Sequence, residues 1–257
     1  MARAREKGPW FWRSAIGVMI ASVFGLFAVA AFNSPPALDT QTACRMDRKD
    51  PAHTIILIDQ SDPFAENDLG WVREFVDSEA RSLPKYGRLT VLTPNSETPY
   101  SPQLVFSNCS PGSVEDANPI FQNPRMIDDT WRDTFYQPLV EQVEATMGTT
   151  RQPSSPLSEA VYALADRADF QRSHGQRRVV LVSDLMQHSA DFSFYRTGAD
   201  YSAFRETRLA AQMPDMQGVD VVARIVPRQE YDLPLSDVKA FWRTYFDTTG
   251  ANYGSVN

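Results

Sequence analysis

Residues 54–64 read T-I-I-L-I-D-Q-S-D-P-F, and the reading of the whole chain turns on them. Ile55, Ile56, Leu57 and Ile58 form an uninterrupted apolar run with no polar face to offer water. A run that short, made of branched and aliphatic residues, reads as a strand buried on both sides, as in a parallel sheet covered by helices. It stops at Asp59, and Ser61, Asp62 and Pro63 follow. Acid and hydroxyl groups therefore fall at the carboxyl end of a central strand, where open α/β sheets place their ligand sites. The same residues also suit a plain turn, with Asp59 and Ser61 satisfying backbone groups and Asp62-Pro63 starting a helix.

Outward from this strand, Trp71, Val72, Phe75, Val76, Ala80 and Leu83 recur at helical spacing and predict a helix over 68–83. Residues 88–93 (R-L-T-V-L-T) predict a second strand and 103–107 a short third one. Proline, asparagine and acid fill 111–130, which predicts a loop or a poorly ordered insertion. Leu139, Val140, Val143 and Met147 give another helical face. After Pro153-Ser154-Ser155-Pro156, the residues Leu157, Ala160, Val161, Leu164, Ala165 and Ala168 mark the clearest amphipathic helix. Residues 179–184, V-V-L-V-S-D, form a second fully apolar strand that again ends on an acid. An irregular polar and aromatic stretch over 189–217 should hold a short helix near 203–213. Residues 219–226 predict the last strand, and Leu235, Val238, Phe241, Trp242, Tyr245 and Phe246 a closing helix. Strands alternating with helices predict an α/β fold, a mostly parallel sheet flanked by helices in three layers.

Residues 15–32 carry no charge, and Trp10, Phe11 and Trp12 stand at their front edge. That length approaches the thickness of a hydrocarbon core, with tryptophans at the interface. Arg3, Arg5, Lys7 and Arg13 against Glu6 give the first 32 residues a balance of 4 − 1 = +3, and the chain as a whole is −7. Residues 33–257 therefore carry −7 − 3 = −10. The basic amino end predicts residues 1–14 in the cytoplasm, a single span over 15–32, a tether over 33–51 and an exported domain over 52–257. For a bacterial chain this is the inner membrane, with the domain in the periplasm. Ala28-Val29-Ala30 also fits a small-x-small cleavage site, so a removed signal peptide stays open beside the anchor. An acidic domain without a basic stripe argues against nucleic acid as a partner.

Asp59-x-Ser61 after the first strand, Ser155-Pro156-Leu157 opening a helix, and Asp184 after a later strand resemble, in order and context, the von Willebrand factor A domain. In that family an Asp-x-Ser-x-Ser loop, a Thr before a helix and an Asp after the next strand gather around a divalent cation. The resemblance covers about residues 52–250, and it implies a metal site of Asp59, Ser61, Ser155 and Asp184, with Ser155 where the family usually has Thr. Pro63 stands where the family has its second loop serine, so the ion is either held more weakly or the site is a relic of the fold. Carboxylates and hydroxyls are hard ligands that suit Mg²⁺, Ca²⁺ or Mn²⁺ and not zinc. The implied partner is a protein, offering a carboxylate to the ion.

Cys44 and Cys109 are the two cysteines of a chain that reads as exported, which favours a disulfide between them; two free thiols are the alternative. His53, His174 and His188 are scattered. A hydrolase built on Ser61 with His188 and Asp184, or on Asp59, is the rival functional class. It lacks a G-x-S-x-G elbow and a glycine loop for an oxyanion, so no catalytic constellation emerges. A structural envelope subunit with a non-functional site is the third reading.

Overall fold

The computed structural model describes residues 9–32, 36–47, 49–61, 64, 66–117, 122–147, 152–171, 175–226 and 233–256. The chain divides into two compact units, residues 1–37 and 38–257. The first holds one helix, α1 (Pro9–Phe32), whose segment Trp12–Val29 is long and apolar enough to cross a membrane. Its apolar side chains, such as Phe24 and Phe27, are exposed within the unit.

In the second unit the stretch 54–58 lies within β1 (Ala52–Ile58), and every residue of that strand is buried. The sheet has six strands in the order β3-β2-β1-β4-β5-β6. These are β2 (Arg88–Thr93), β3 (Gln103–Cys109), β4 (Gln176–Ser183), β5 (Val219–Ile225) and β6 (Asn252–Val256). All neighbours run parallel except β3, which is antiparallel to β2. The fold is therefore α/β with a mostly parallel sheet.

Successive side chains of a strand point to opposite faces, and the two apolar strands use both. Ile55, Leu57, Val179 and Leu181 pack into one core with α5 (Leu157–Ala165) and α10 (Leu235–Thr249). Ile56, Ile58, Val180 and Val182 pack into the other with α2 (Glu66–Ser82) and α4 (Gln137–Met147). Each such side chain taken out of water contributes about 1.5–3 kcal/mol, and strands covered on both faces collect that gain at every position. This burial is why β1 and β4 show no polar alternation. The aromatic set on α10 belongs to the core, as its spacing suggests: Phe241, Trp242, Tyr245 and Phe246 are all buried. They meet Phe192, Phe194 and Phe204, which come from the polar excursion after β4.

Several expectations need correction. The excursion forms three short helices, α7 (Phe194–Thr197), α8 (Tyr201–Arg205) and α9 (Arg208–Ala211), instead of one. Asp200 and Thr207 cap α8 and α9 by accepting from Ser202 and Ala210 backbone N–H groups, and these polar residues break the stretch into pieces. Residues 111–130 are not all loop. Ser113 caps a 3₁₀ turn over Val114–Asp116, and Asn123 with Pro124 opens α3 (Pro124–Trp131). A π-helical turn over Arg132–Tyr136 carries α3 into α4. The strand over 219–225 is not the last one, because β6 follows α10 and pairs with β5. Residues 38–51, expected as tether, belong to the folded unit. Cys44 and Cys109 form a disulfide with Cα atoms 4.8 Å apart. The Cys109 N–H also donates to Thr42 O at 2.8 Å, and Arg88 pairs with Asp50 at 3.2 Å.

Candidate functional site

Parallel pairing sets Ile58 opposite Val182, so the chain leaves β1 and β4 side by side. The Asp59 N–H continues the ladder to Val182 O at 2.9 Å. Asp59 and Ser183 thereby emerge as neighbours, and Asp184 is the next residue. The α5 entry loop arrives at the same rim. Ser155 exchanges both backbone hydrogen bonds with His188, at 2.9 and 2.8 Å, and His188 bridges in turn to Ser193.

The side chains complete a compact network. Asp59 Oδ1 accepts from the Ser61 backbone N–H at 2.9 Å, closing an Asx turn. Its Oδ2 accepts from the Ser155 hydroxyl at 2.7 Å and from the Ser183 hydroxyl at 2.9 Å. Ser183 also lies 3.4 Å from Asp184 Oδ1 and accepts from the Leu185 N–H at 2.8 Å. Asp184 Oδ1 accepts from the Met186 N–H at 2.9 Å. Leu185 takes φ +65°, a left-handed conformation unusual for a leucine. It is held there by its N–H on Ser183 and by the Trp242 indole, which donates to Leu185 O at 2.9 Å. The strained turn keeps Asp184 beside Asp59 and does not let it swing outward.

Asp59, Ser155, Ser183 and Asp184 are each 5% exposed or less, whereas Ser61 is half-buried. Burial, and then the charge of Asp59, push the Asp184 carboxyl up to about 7. Beside Ser61 and Ser155 opens a cleft of about 300 Å³, lined also by Gln152, Pro153, Met186, His188 and Tyr195.

All four expected residues thus meet at one rim, Ser61 through its backbone N–H. Asp62 and Pro63 lie outside the described residues, as does His174. Ser183 is the residue that sequence reasoning missed. The signal was present, a hydroxyl at the end of V-V-L-V-S-D, but inside an apolar run it reads as one more strand position. Of the rival triad's histidine, Nδ1 lies 2.8 Å from Ser193 Oγ, which ties the ring to its own turn. His53 sits at the start of β1, away from the rim, with Nε2 2.9 Å from Thr90 Oγ1.

Among the described residues no three His, Cys, Asp or Glu side chains cluster as metal ligands. The donors at the rim are two carboxylates and the hydroxyls of Ser155 and Ser183, with Ser61 at the opening. That set fits a small hard cation and offers nothing to a softer transition metal. The repulsion felt by Asp184 from Asp59 is the interaction such an ion would relieve.

No model of a known protein family matches the chain, and no curated protein matches it. Solved structures similar to it include the conserved hypothetical protein BatB from Bacteroides thetaiotaomicron, at 10% identity and TM-score 0.41, covering 80% of this chain and 90% of that one. An aerotolerance-related membrane protein from Bacteroides fragilis is similar at 11% identity and TM-score 0.42, over 80% of this chain and 92% of that one. The human COPII-coat protein Sec24c is similar at 13% identity and TM-score 0.40, over 84% of this chain but 31% of its own. The fold assignment rests on the strand order and pairing described above.

Proposed function

We propose that this chain is a membrane-anchored, extracytoplasmic module that binds another protein at the carboxyl rim of its sheet. The observation that carries the reading is the hydrogen-bonded set Ser155–Asp59–Ser183–Asp184, which meets an open cleft through Ser155. A divalent cation, Mg²⁺ or else Ca²⁺ or Mn²⁺, would be held there by Asp59, Ser61, Ser155 and Asp184. Bound, it would supply positive charge to the rim and a coordination position for a carboxylate of the partner. Asp59 and Asp184 hold the charge, Ser155 and Ser183 orient Asp59, and the Leu185 turn keeps the two acids together.

The anchor reading is supported by the apolar segment Trp12–Val29 and by the basic residues before it. It places the folded unit in the periplasm of a bacterial inner membrane, attached by one span. A hydrolase is disfavoured by the pairing of His188 with Ser193. A structural role with an ion-free site is the outcome that remains if no cation binds.

The test is protein freed of metal and titrated with Mg²⁺, Mn²⁺ and Ca²⁺ by calorimetry, with melting temperature recorded in parallel. Cross-linking of the membrane-anchored chain in cells, with and without chelator, then asks whether its contacts depend on the ion. A chelator-insensitive pattern together with no heat from any of the three ions removes the cation from the proposal.

A further inference from the structure

The two edges of the sheet are finished differently. At β3 the pairing with β2 shifts register between Val91 and Leu92. The end of that strand is held by the Cys44–Cys109 disulfide and by Thr42 O, which accepts from the Cys109 N–H at 2.8 Å. Irregular pairing and covering segments are how proteins blunt an edge against other chains. β6 has neither. Residues Asn252–Val256 read N-Y-G-S-V, without charge or proline, and follow β5 in unbroken register. Among the described residues no strand lies beyond β6, and its backbone makes no hydrogen bond away from β5. Gly254 stands at its centre. Glycine weakens a strand, and its own fold does not require this one: an added Cβ would meet nothing within 4 Å, and φ is not positive. A glycine so placed marks a point where another backbone can come close.

We infer that β6 is the surface through which two copies of this chain pair, antiparallel, about a two-fold axis at Gly254. Asn252 then faces Val256 of the second copy, Tyr253 faces its Ser255, and the unpaired N–H and C=O groups of both edges find partners. A two-fold interface must be complementary to itself, and the α2 side of this edge is. Register sets Asp220 beside Asn252, Val222 beside Gly254 and Arg224 beside Val256. Asp220 accepts from Asn252 Nδ2 at 3.0 Å, and the Arg224 guanidinium lies 5.1 Å from the centre of the Phe75 ring. About the proposed axis the acidic end of each edge runs towards the basic end of the other, and glycine meets glycine between two half-buried valines. No like charges stand opposite each other across the new ladder. That symmetry about one point favours a second copy over an unrelated strand. The surface is independent of the cation, because β6 lies two strands from β4 and contributes nothing to the cluster at the rim.

The full-length chain carrying Gly254→Cys, in its membranes, is oxidised and run on non-reducing gels. Cys44 and Cys109 are already bonded to each other, so the new thiol is the one that reports. Across the axis, position 254 meets itself at about 4.5–5.5 Å, within disulfide reach, whereas position 252 lies about 14 Å from its own copy. Gly254→Cys should therefore give a cross-linked dimer at least roughly tenfold above Asn252→Cys, and Asn252→Cys with Val256→Cys in one chain should cross-link again. Adding Val256→Lys to Gly254→Cys should abolish the dimer, since a lysine on an edge strand opposes pairing. The parent chain in detergent, followed by light scattering at rising concentration, should approach twice its monomer mass, and Val256→Lys alone should hold it at the monomer. Equal cross-linking at 252 and 254 overturns the register and with it the axis. A parent that stays monomeric, or a Val256→Lys chain that still dimerises, overturns the surface.

Discussion

The Ser155 hydroxyl donates to Asp59 Oδ2 across 2.7 Å, joining residues 96 positions apart in the chain. This bond ties the loop before α5 to the end of β1, and the Ser183 hydroxyl ties β4 to the same oxygen. One carboxylate oxygen thus organises three segments of the rim. Removing either hydroxyl leaves a buried acceptor short of a donor.

Ser155→Ala and Ser183→Ala should each destabilise the folded unit by about 1–3 kcal/mol, the usual cost of an unsatisfied buried partner. Ser155→Thr keeps the hydroxyl and should cost less. Urea unfolding followed by tryptophan fluorescence measures all three. A Ser183→Ala protein as stable as the parent would show that this hydroxyl does not organise the rim.

Much of this arrangement could be read from residues alone, and the reasons it could not all be read are physical. β1 and β4 announced themselves because strands buried on both faces need unbroken apolar runs. Each ended on the acid that now forms the site. α5 was legible because its buried stripe is dense. β6 was missed because N-Y-G-S-V is an edge strand of alternating exposed and half-buried residues, with a glycine at its centre. α3 was hidden behind Pro and Asn residues that act as its cap and first turn and not as breakers. Ser183 was hidden because nothing local distinguishes a structural serine from a bridging one.

Stability should respond to pH through two buried groups of opposite sign. Burial holds His53 down to about 4, with Asp169, Arg88 and Arg167 acting around it. Its unfolded value is near 6.5, so the unfolded chain binds the extra proton, and this stability is present above 6.5 and lost as pH falls towards 4. The loss is at most of order 3 kcal/mol. Asp184 acts the other way. Its folded value near 7 exceeds the unfolded 3.8, so stability falls as pH rises from about 4 through 7. Urea midpoints from pH 4 to 8 should rise more steeply with pH in Asp184→Asn than in the parent, and less steeply in His53→Gln. Unchanged slopes in both variants would contradict these assignments.

The Cys44–Cys109 bridge closes a loop across 65 positions. In the chain-entropy model that loop is worth about 4 kcal/mol. The Cys44→Ser, Cys109→Ser double variant should lose an amount of that order and expose residues 38–50 to protease. A double variant with the parent's midpoint and digestion pattern would show that the bridge merely decorates a segment held by other contacts.

The topology expectation is checked with a reporter active only outside the cytoplasm, fused after Asn257. It should be active, and the protein should stay with membranes through an alkaline carbonate wash. Release of a soluble form beginning near Ala31 would establish the cleaved-signal alternative, and an inactive reporter would overturn both.

Calorimetry of Mg²⁺ binding to the metal-free full-length protein tests the proposal that a divalent cation sits at the rim of Asp59, Ser61, Ser155 and Asp184. A saturable heat at one site per chain is expected. A stabilisation of about 2.7 kcal/mol should accompany it once the ion stands at a hundred times its dissociation constant. Both should disappear in Asp59→Ala and weaken in Ser155→Ala. No heat and no change in melting temperature with Mg²⁺, Mn²⁺ or Ca²⁺, in protein whose unfolding shows it to be native, would contradict the claim.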